Sequence, residues 1–160
     1  DYVLKKIIIV INDLNHFRKK EGKVLMREIK SYVDVILKIA KQLIPLEKKR
    51  IKSKKLKLLK EIKKEQIDYN LSRLELEMIY YFERADITEE RVRLQSHIGF
   101  FLEVLSSETI VGKKLNFITQ EMLREINTIG SKANNFEIQK RVVLMKEQVE
   151  KIKEQLQNIL

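Results

Sequence analysis

The chain has 160 residues, 44% of them apolar, enough for one ordinary domain or one extended helical assembly to bury a core. It contains no cysteine, which excludes disulfides, thiolate zinc sites and a cysteine nucleophile, and its only histidines are His16 and His97. Thirty-three basic residues against 23 acidic ones leave a net charge of +10, which points to a polyanionic partner where that excess is concentrated.

One proline and four glycines leave little material for β-turns, and the apolar spacing is helical nearly throughout, so an all-α chain of about six helices is expected. The first is predicted from about Tyr2 to Ile44, with Leu25, Ile29, Tyr32, Ile36, Ile39 and Leu43 alternating four and three apart. Extended backwards, that frame passes through Asn15, Arg18 and Gly22, so the seam is interrupted by a close helix crossing or a wet patch. The run Ile7 to Ile11 is far shorter than the ~20 residues that span a bilayer, and Asn12 and Asp13 end it too early for a signal-peptide core. A soluble chain is therefore expected. Its opening at Asp1, directly in an apolar pattern, suggests a piece of a longer protein.

Pro45 suits the first turn of a second helix, over about 45–65, with a narrow apolar edge of Ile51, Leu58 and Ile62. This segment concentrates the charge. Lys48, Lys49, Arg50, Lys52, Lys54, Lys55, Lys57, Lys60, Lys63 and Lys64 stand against the single acid Glu61, a local +9 that self-repulsion makes costly unless a polyanion relieves it. No aromatic residue lies within it, so phosphate contact without base stacking is expected, with Tyr69, Tyr80 and Tyr81 the nearest stacking candidates.

A third helix shows Ile67, Leu71, Leu74, Met78 and Phe82. Asp86 and Glu89 suggest a capping box opening a fourth, whose inward edge is Leu94, Ile98, Phe101 and Leu105, with a break at Ser106 and Ser107. Gly99 within it permits a close crossing or is simply tolerated. A fifth follows Gly112 with Leu115, Ile118, Met122, Ile126 and Ile129 inward, fading near Gly130 or Asn134. The last carries the cleanest heptad: Ile138, Val142, Met145, Val149, Ile152, Leu156 and Ile159. The fold expected is a set of extended antiparallel helices with coiled-coil-like seams, part of an oligomer, divided into a helical arm over 1–84 and a C-terminal domain over 85–160.

The fourth and fifth helices each carry a polar stripe. Asp86, Glu90, Arg93 and His97 recur four, three and four apart and line one side; Glu121, Arg124, Thr128 and Ser131 line another, with Glu125 beside them. Gathered in one groove, these acids and the histidine could hold a divalent cation, magnesium or manganese, and activate a water; the competing reading is an exposed face of i,i+4 ion pairs. The assignment is His97, Glu90 and Glu121 as catalytic groups, Asp86, Glu89 and Glu125 as metal ligands, and Arg93 and Arg124 joining the basic segment in binding the polyanion.

ADITEERVRLQSHIGFF (Ala85 to Phe101), VGKKLNFITQEMLREINTIGSKANNFEI (Val111 to Ile138), the closing VEKIKEQLQNI and RKKEG (Arg18 to Gly22) resemble the signature elements of the YicC/YloC family. The resemblance covers essentially the whole chain. It implies a bacterial cytoplasmic protein with a separate N-terminal domain, assembled as a ring-like homo-oligomer, a hexamer, with metal-dependent endoribonuclease activity on single-stranded RNA. Two positions depart from the pattern: Asn116 stands where the family has an acid, and Leu123 where a polar residue is common. A non-catalytic RNA-binding clamp and a helical scaffold for acidic protein surfaces are the alternative readings.

Overall fold

The computed structural model describes residues 2–64, 71–107 and 112–157, apart from the side chains of Lys63 and Leu71. Among the described residues there are five helices: α1 (Tyr2–Lys64), α2 (Leu71–Ala85), α3 (Thr88–Leu105), α4 (Gly112–Ala133) and α5 (Phe136–Leu156). The expected start of a helix at Ile67, the stacking candidate Tyr69, the Lys63 side chain and the last heptad position Ile159 lie outside them.

The expected break at Pro45 is not made. Instead α1 runs through it for 63 residues, about 95 Å at the α-helical rise. An interior proline costs about 3 kcal/mol, because the carbonyl four residues back loses its N–H partner and the ring crowds it. Here that carbonyl belongs to Lys41, and both Lys41 and Pro45 are exposed, so water can satisfy it. The buried seam meanwhile continues on either side: Ile29, Val33, Ile36, Ala40, Leu43 and Glu47 recur four and three apart. Keeping α1 helical preserves that burial.

The core joins this seam to the inward edges of three other helices: Leu94, Ile98, Phe101 and Leu105 of α3, Leu115, Ile118, Met122, Ile126 and Ile129 of α4, and Ile138, Val142, Met145, Val149, Ile152 and Leu156 of α5. These three edges are the ones the sequence periodicity selects. Each helix packs on two neighbours, α1 on α5 and α3, and α4 on α5 and α3, closing a four-helix bundle. Long-range contacts fix the directions. Gln155 reaches Glu28 and Lys151 lies over Tyr32, while Arg50 meets the end of α4, so α1 and α5 run antiparallel. Glu90 near the start of α3 pairs with Lys132 near the end of α4, making those two antiparallel as well. One core thus draws on both sides of the expected boundary at residue 84.

Asn134 adopts a left-handed φ of 37° after α4, and Asn135 caps α5 by accepting the Ile138 N–H at 3.2 Å. A methyl at Gly130 would lie 3.2 Å from the Val142 side chain, so this glycine permits the close approach of α4 and α5. Nothing lies within 4 Å of a Cβ at Gly22 or Gly99, so neither marks a crossing in this chain.

Beyond the bundle, α1 projects at both ends. At its start, Leu4, Ile7, Ile8, Ile9, Val10, Ile11, Leu14 and Phe17 are exposed. At its other end, Ile51, Leu58 and Ile62 are half-buried beside α2, whose Leu74, Met78 and Phe82 are half-buried too. Stability should therefore reside in the bundle. In this chain Ile36→Ala is expected to cost about 2–5 kcal/mol through reduced burial and a residual cavity, whereas Ile9→Ala stays within about 0.5 kcal/mol. Urea midpoints for the two variants check this.

Candidate functional site

The polar residues gather where four chain segments meet: α1 near Arg50, the end of α2, the start of α3 and the end of α4. Helix ends leave backbone carbonyls without partners, and their dipoles favour a cation. Arg50 supplies one. Its Nη1 donates to the carbonyls of Ala133, at 2.5 Å, and Lys132, at 3.4 Å, while Nη2 donates to the carbonyl of Ala85 at 2.5 Å. The guanidinium of Arg50, expected among the RNA contacts, turns inward and ties the ends of α2 and α4 to α1. The neighbouring Lys48, Lys49, Lys52, Lys54, Lys55, Lys57, Lys60 and Lys64 are all exposed.

One turn before Arg50, the buried Glu47 accepts the Ile87 N–H at 3.1 Å. Desolvation is the largest influence on Glu47 and raises its pKa; the Ile87 hydrogen bond opposes this, and the charge of Asp86 and a hydrogen bond with it add to the rise. For Asp86, burial also pulls upward, but hydrogen bonds from Thr88 and Glu47 and the charge of Lys132 outweigh it and hold the carboxyl below its ordinary range. The two carboxyls are thus pushed apart, Glu47 toward the neutral acid and Asp86 toward the anion. The capping box expected from Asp86 and Glu89 does not form: Asp86 accepts the Thr88 N–H at 2.8 Å, and Glu89 instead binds Arg93 at 2.5 Å.

Glu90 is buried and pairs with Lys132 at 2.7 Å. The hydrogen bond to Glu90 is the main reason the Lys132 ammonium is held above its usual pKa, and the charges of Glu90, Glu89 and Asp86 act in the same direction. Glu90, assigned a catalytic role, is thus already paired with the chain's own Lys132, and Glu89, assigned as a metal ligand, with Arg93. The Glu90–Lys132 pair also sets the register of α3 against α4. Counting back from it, the buried Glu125 stands about level with the half-buried His97, and Glu121 lies one turn further along, with Arg124 3.9 Å away. Arg93 and Arg124 are exposed. Among the described residues no three carboxylate or histidine groups come together in a way that would hold a metal ion. The described residues of this single chain do not fit a divalent-cation centre.

Beside the junction lies a cleft of about 470 Å³. Ile44, Glu47, Lys48 and Ile51 of α1 form one wall, Ile79, Phe82 and Glu83 of α2 the opposite one, and Asp86, Thr88 and Arg91 close its end. Lys48, Lys52 and Lys55, spaced four and three apart, follow the edge of α1 next to Ile44 and Ile51. Across the mouth, the Lys54 ammonium lies 5.7 Å from the Tyr81 ring centre, and Tyr81 packs edge-on against Phe82 at 5.6 Å. Aromatic groups missing from the basic run are thus brought to it by α2. Glu47 and Arg91 carried no sequence signal as site residues, since one acid and one base in a charged helical chain are unremarked until packing brings them into one cleft.

Residues 36–160 match the family model described as "Endoribonuclease YicC-like, C-terminal". The chain is similar to a protein of Clostridioides difficile (strain 630) named "Probable endoribonuclease YicC", with 36% identity over 153 residues, covering 91% of this chain and 51% of that protein. It is also similar to a protein of the same name from Haemophilus influenzae, with 38% identity over 103 residues, covering 64% of this chain and 36% of that one. The chain spans about half the length of the first of these relatives. Among the described residues no helix is long and apolar enough to cross a membrane.

Glu47 gives a pH test. A carboxyl whose folded pKa is raised favours folding in its neutral form, so its contribution is present below the unfolded value of 4.5 and is lost as pH rises through the folded pKa. Glu47→Gln keeps the acceptor for Ile87 but cannot ionise. Its stability relative to wild type should rise as pH climbs from about 4 toward 7, and urea denaturation across that range measures the difference.

Proposed function

The chain belongs to the YicC-like endoribonuclease family, and from that membership and the arrangement above we propose that it takes part in endoribonucleolytic cleavage of single-stranded RNA in the cytoplasm, in RNA turnover or small-RNA regulation. The observation that carries this reading is the sorting of the basic run. Arg50 is withdrawn to hold helix ends, while the lysines around it stay exposed and form a track beside a cleft. Such a track contacts phosphates without reading sequence. Tyr81, set against Lys54, supports a preference for unpaired strands, whose bases can stack.

His97, half-buried on α3 and level with Glu125, is the proton carrier in this reading. Glu90 is held by Lys132 and acts by positioning the start of α3, while Glu121 stands one turn from Glu125 on α4. Magnesium or manganese is the cofactor the family resemblance implies; the fit within one chain is poor, because Glu90 is already paired with Lys132 and Glu89 with Arg93. The apolar start of α1 supports contact with further protein, which a homo-oligomer, the hexamer of the resemblance, would provide. A non-catalytic RNA clamp would keep the track and lack the cleavage.

Two measurements test this. Full-length protein incubated with end-labelled single-stranded RNA should cut it, and comparison with and without magnesium, manganese or chelator reads the metal dependence. Reversing the charges of Lys52, Lys55, Lys57 and Lys60 should weaken binding and flatten its salt dependence, by roughly 0.7 in log–log slope for each phosphate no longer neutralised. An unchanged slope moves the binding away from α1.

A further inference from the structure

We propose that the cleft between α1, α2 and the start of α3 receives one unstacked nucleobase of the bound RNA and favours a base with an exocyclic amino group over uracil. The inference rests on the RNA-binding reading above and extends it from the phosphates to the base. At about 470 Å³ the cleft falls within the ~300–1,000 Å³ of clefts that hold small organic ligands. Ile51, Ile79 and Phe82 give it the apolar walls that a flat heterocycle covers on both faces. Ile79 is 52% exposed, so burial beneath a ligand would remove real apolar surface from water.

The polar groups decide which base. Glu83 and Asp86 present carboxyl oxygens, and Asp86 is held in its anionic form; Glu47, pushed toward the neutral acid, is already engaged by the Ile87 N–H. Carboxylates accept from the amino groups of cytosine and adenine, and can accept two hydrogen bonds at once from the N1–H and amino group of guanine. Uracil offers only one N–H between two carbonyl oxygens, which those carboxylates repel. Arg91 adds a donor, its Nε buried without a hydrogen-bond partner, suited to a ring nitrogen or carbonyl on the far side of the base. The phosphate position agrees as well. Lys48 lines the cleft and Lys52 stands one turn further along α1, so a nucleotide with its base inside has its phosphate at the lysine edge.

The test uses the full-length protein and fluorescent oligouridylates carrying one central guanosine, uridine or abasic residue, with affinity read by anisotropy in chelator. The guanosine oligomer should bind about tenfold more tightly than all-uridine, and the abasic one no better than uridine. Ile79→Trp, which fills the cleft from an exposed position, should bring the guanosine-to-uridine ratio close to one; Glu83→Gln should reduce it without filling the cleft, so that either variant suffices if the other folds poorly. Equal affinity for the three oligomers, or an undiminished ratio in both variants, overturns the proposal. Failure of the underlying reading looks different: charge reversal at Lys52 and Lys55 would then leave all-uridine affinity unchanged, whatever the ratio.

Discussion

Two helix C-termini end beside each other, at Ala85 and Ala133, and each leaves carbonyl oxygens that the helices themselves cannot satisfy. A single guanidinium, that of Arg50, reaches both. Its planar fork presents several donors at once, which a lysine ammonium on the same stem would not reproduce. For Arg50 to stand there, α1 has to stay helical through Pro45, because one unbroken rod carries both the bundle seam and the junction. The proline's cost of about 3 kcal/mol is opposed by these hydrogen bonds to a charged donor, about 1.5–3 kcal/mol each, and by the Ile87 N–H that Glu47 satisfies one turn earlier. The cleft, the lysine track and the start of α3 all take their positions from this tie.

The same junction explains how a strongly basic chain holds its acids. Asp86, Glu89 and Glu90 open α3, where the helix dipole already favours negative charge, and Lys132 from the end of α4 pairs with Glu90. Each charge complements the helix end it sits on. Glu90 is nearly inaccessible, and a buried carboxylate left unpaired would be costly, so Lys132 is part of the fold rather than a free surface cation. A stripe of acids read along one helix resembles a metal site until the helix beside it supplies the counter-ion.

That distinction marks how far the sequence could be read. Periodicity along α3, α4 and α5 picks out the buried edges residue by residue, because a bundle core is dictated by spacing alone: Leu94 to Leu105, Leu115 to Ile129, Ile138 to Leu156. At Pro45 a local rule is overridden by burial on both sides of it, which no window around the proline displays. In the basic run, ten like charges give no hint that Arg50 differs from its neighbours, since its role depends on carbonyls 35 and 83 residues away. The Glu47–Asp86 pair and the cleft are invisible for the same reason. Residues that act through neighbours in sequence are legible; those that act through the meeting of helix ends are not.

The mechanical consequence lies in α1 itself. A lysine track on a flexible tail gains affinity for RNA but says nothing about where along the strand other groups act. Here the track continues directly from the buried seam at Leu43 and Glu47, with no linker between the core and Lys48. In the reading proposed above, phosphates held by Lys48, Lys52 and Lys55 would therefore be in fixed register with the start of α3 and the His97 face beyond it. Binding energy from the backbone, though blind to sequence, is then available for positioning, which is where a cleavage site gains most from remote contacts. A rigid helix that joins core to track makes loosening of the Arg50 junction a disturbance of both at once.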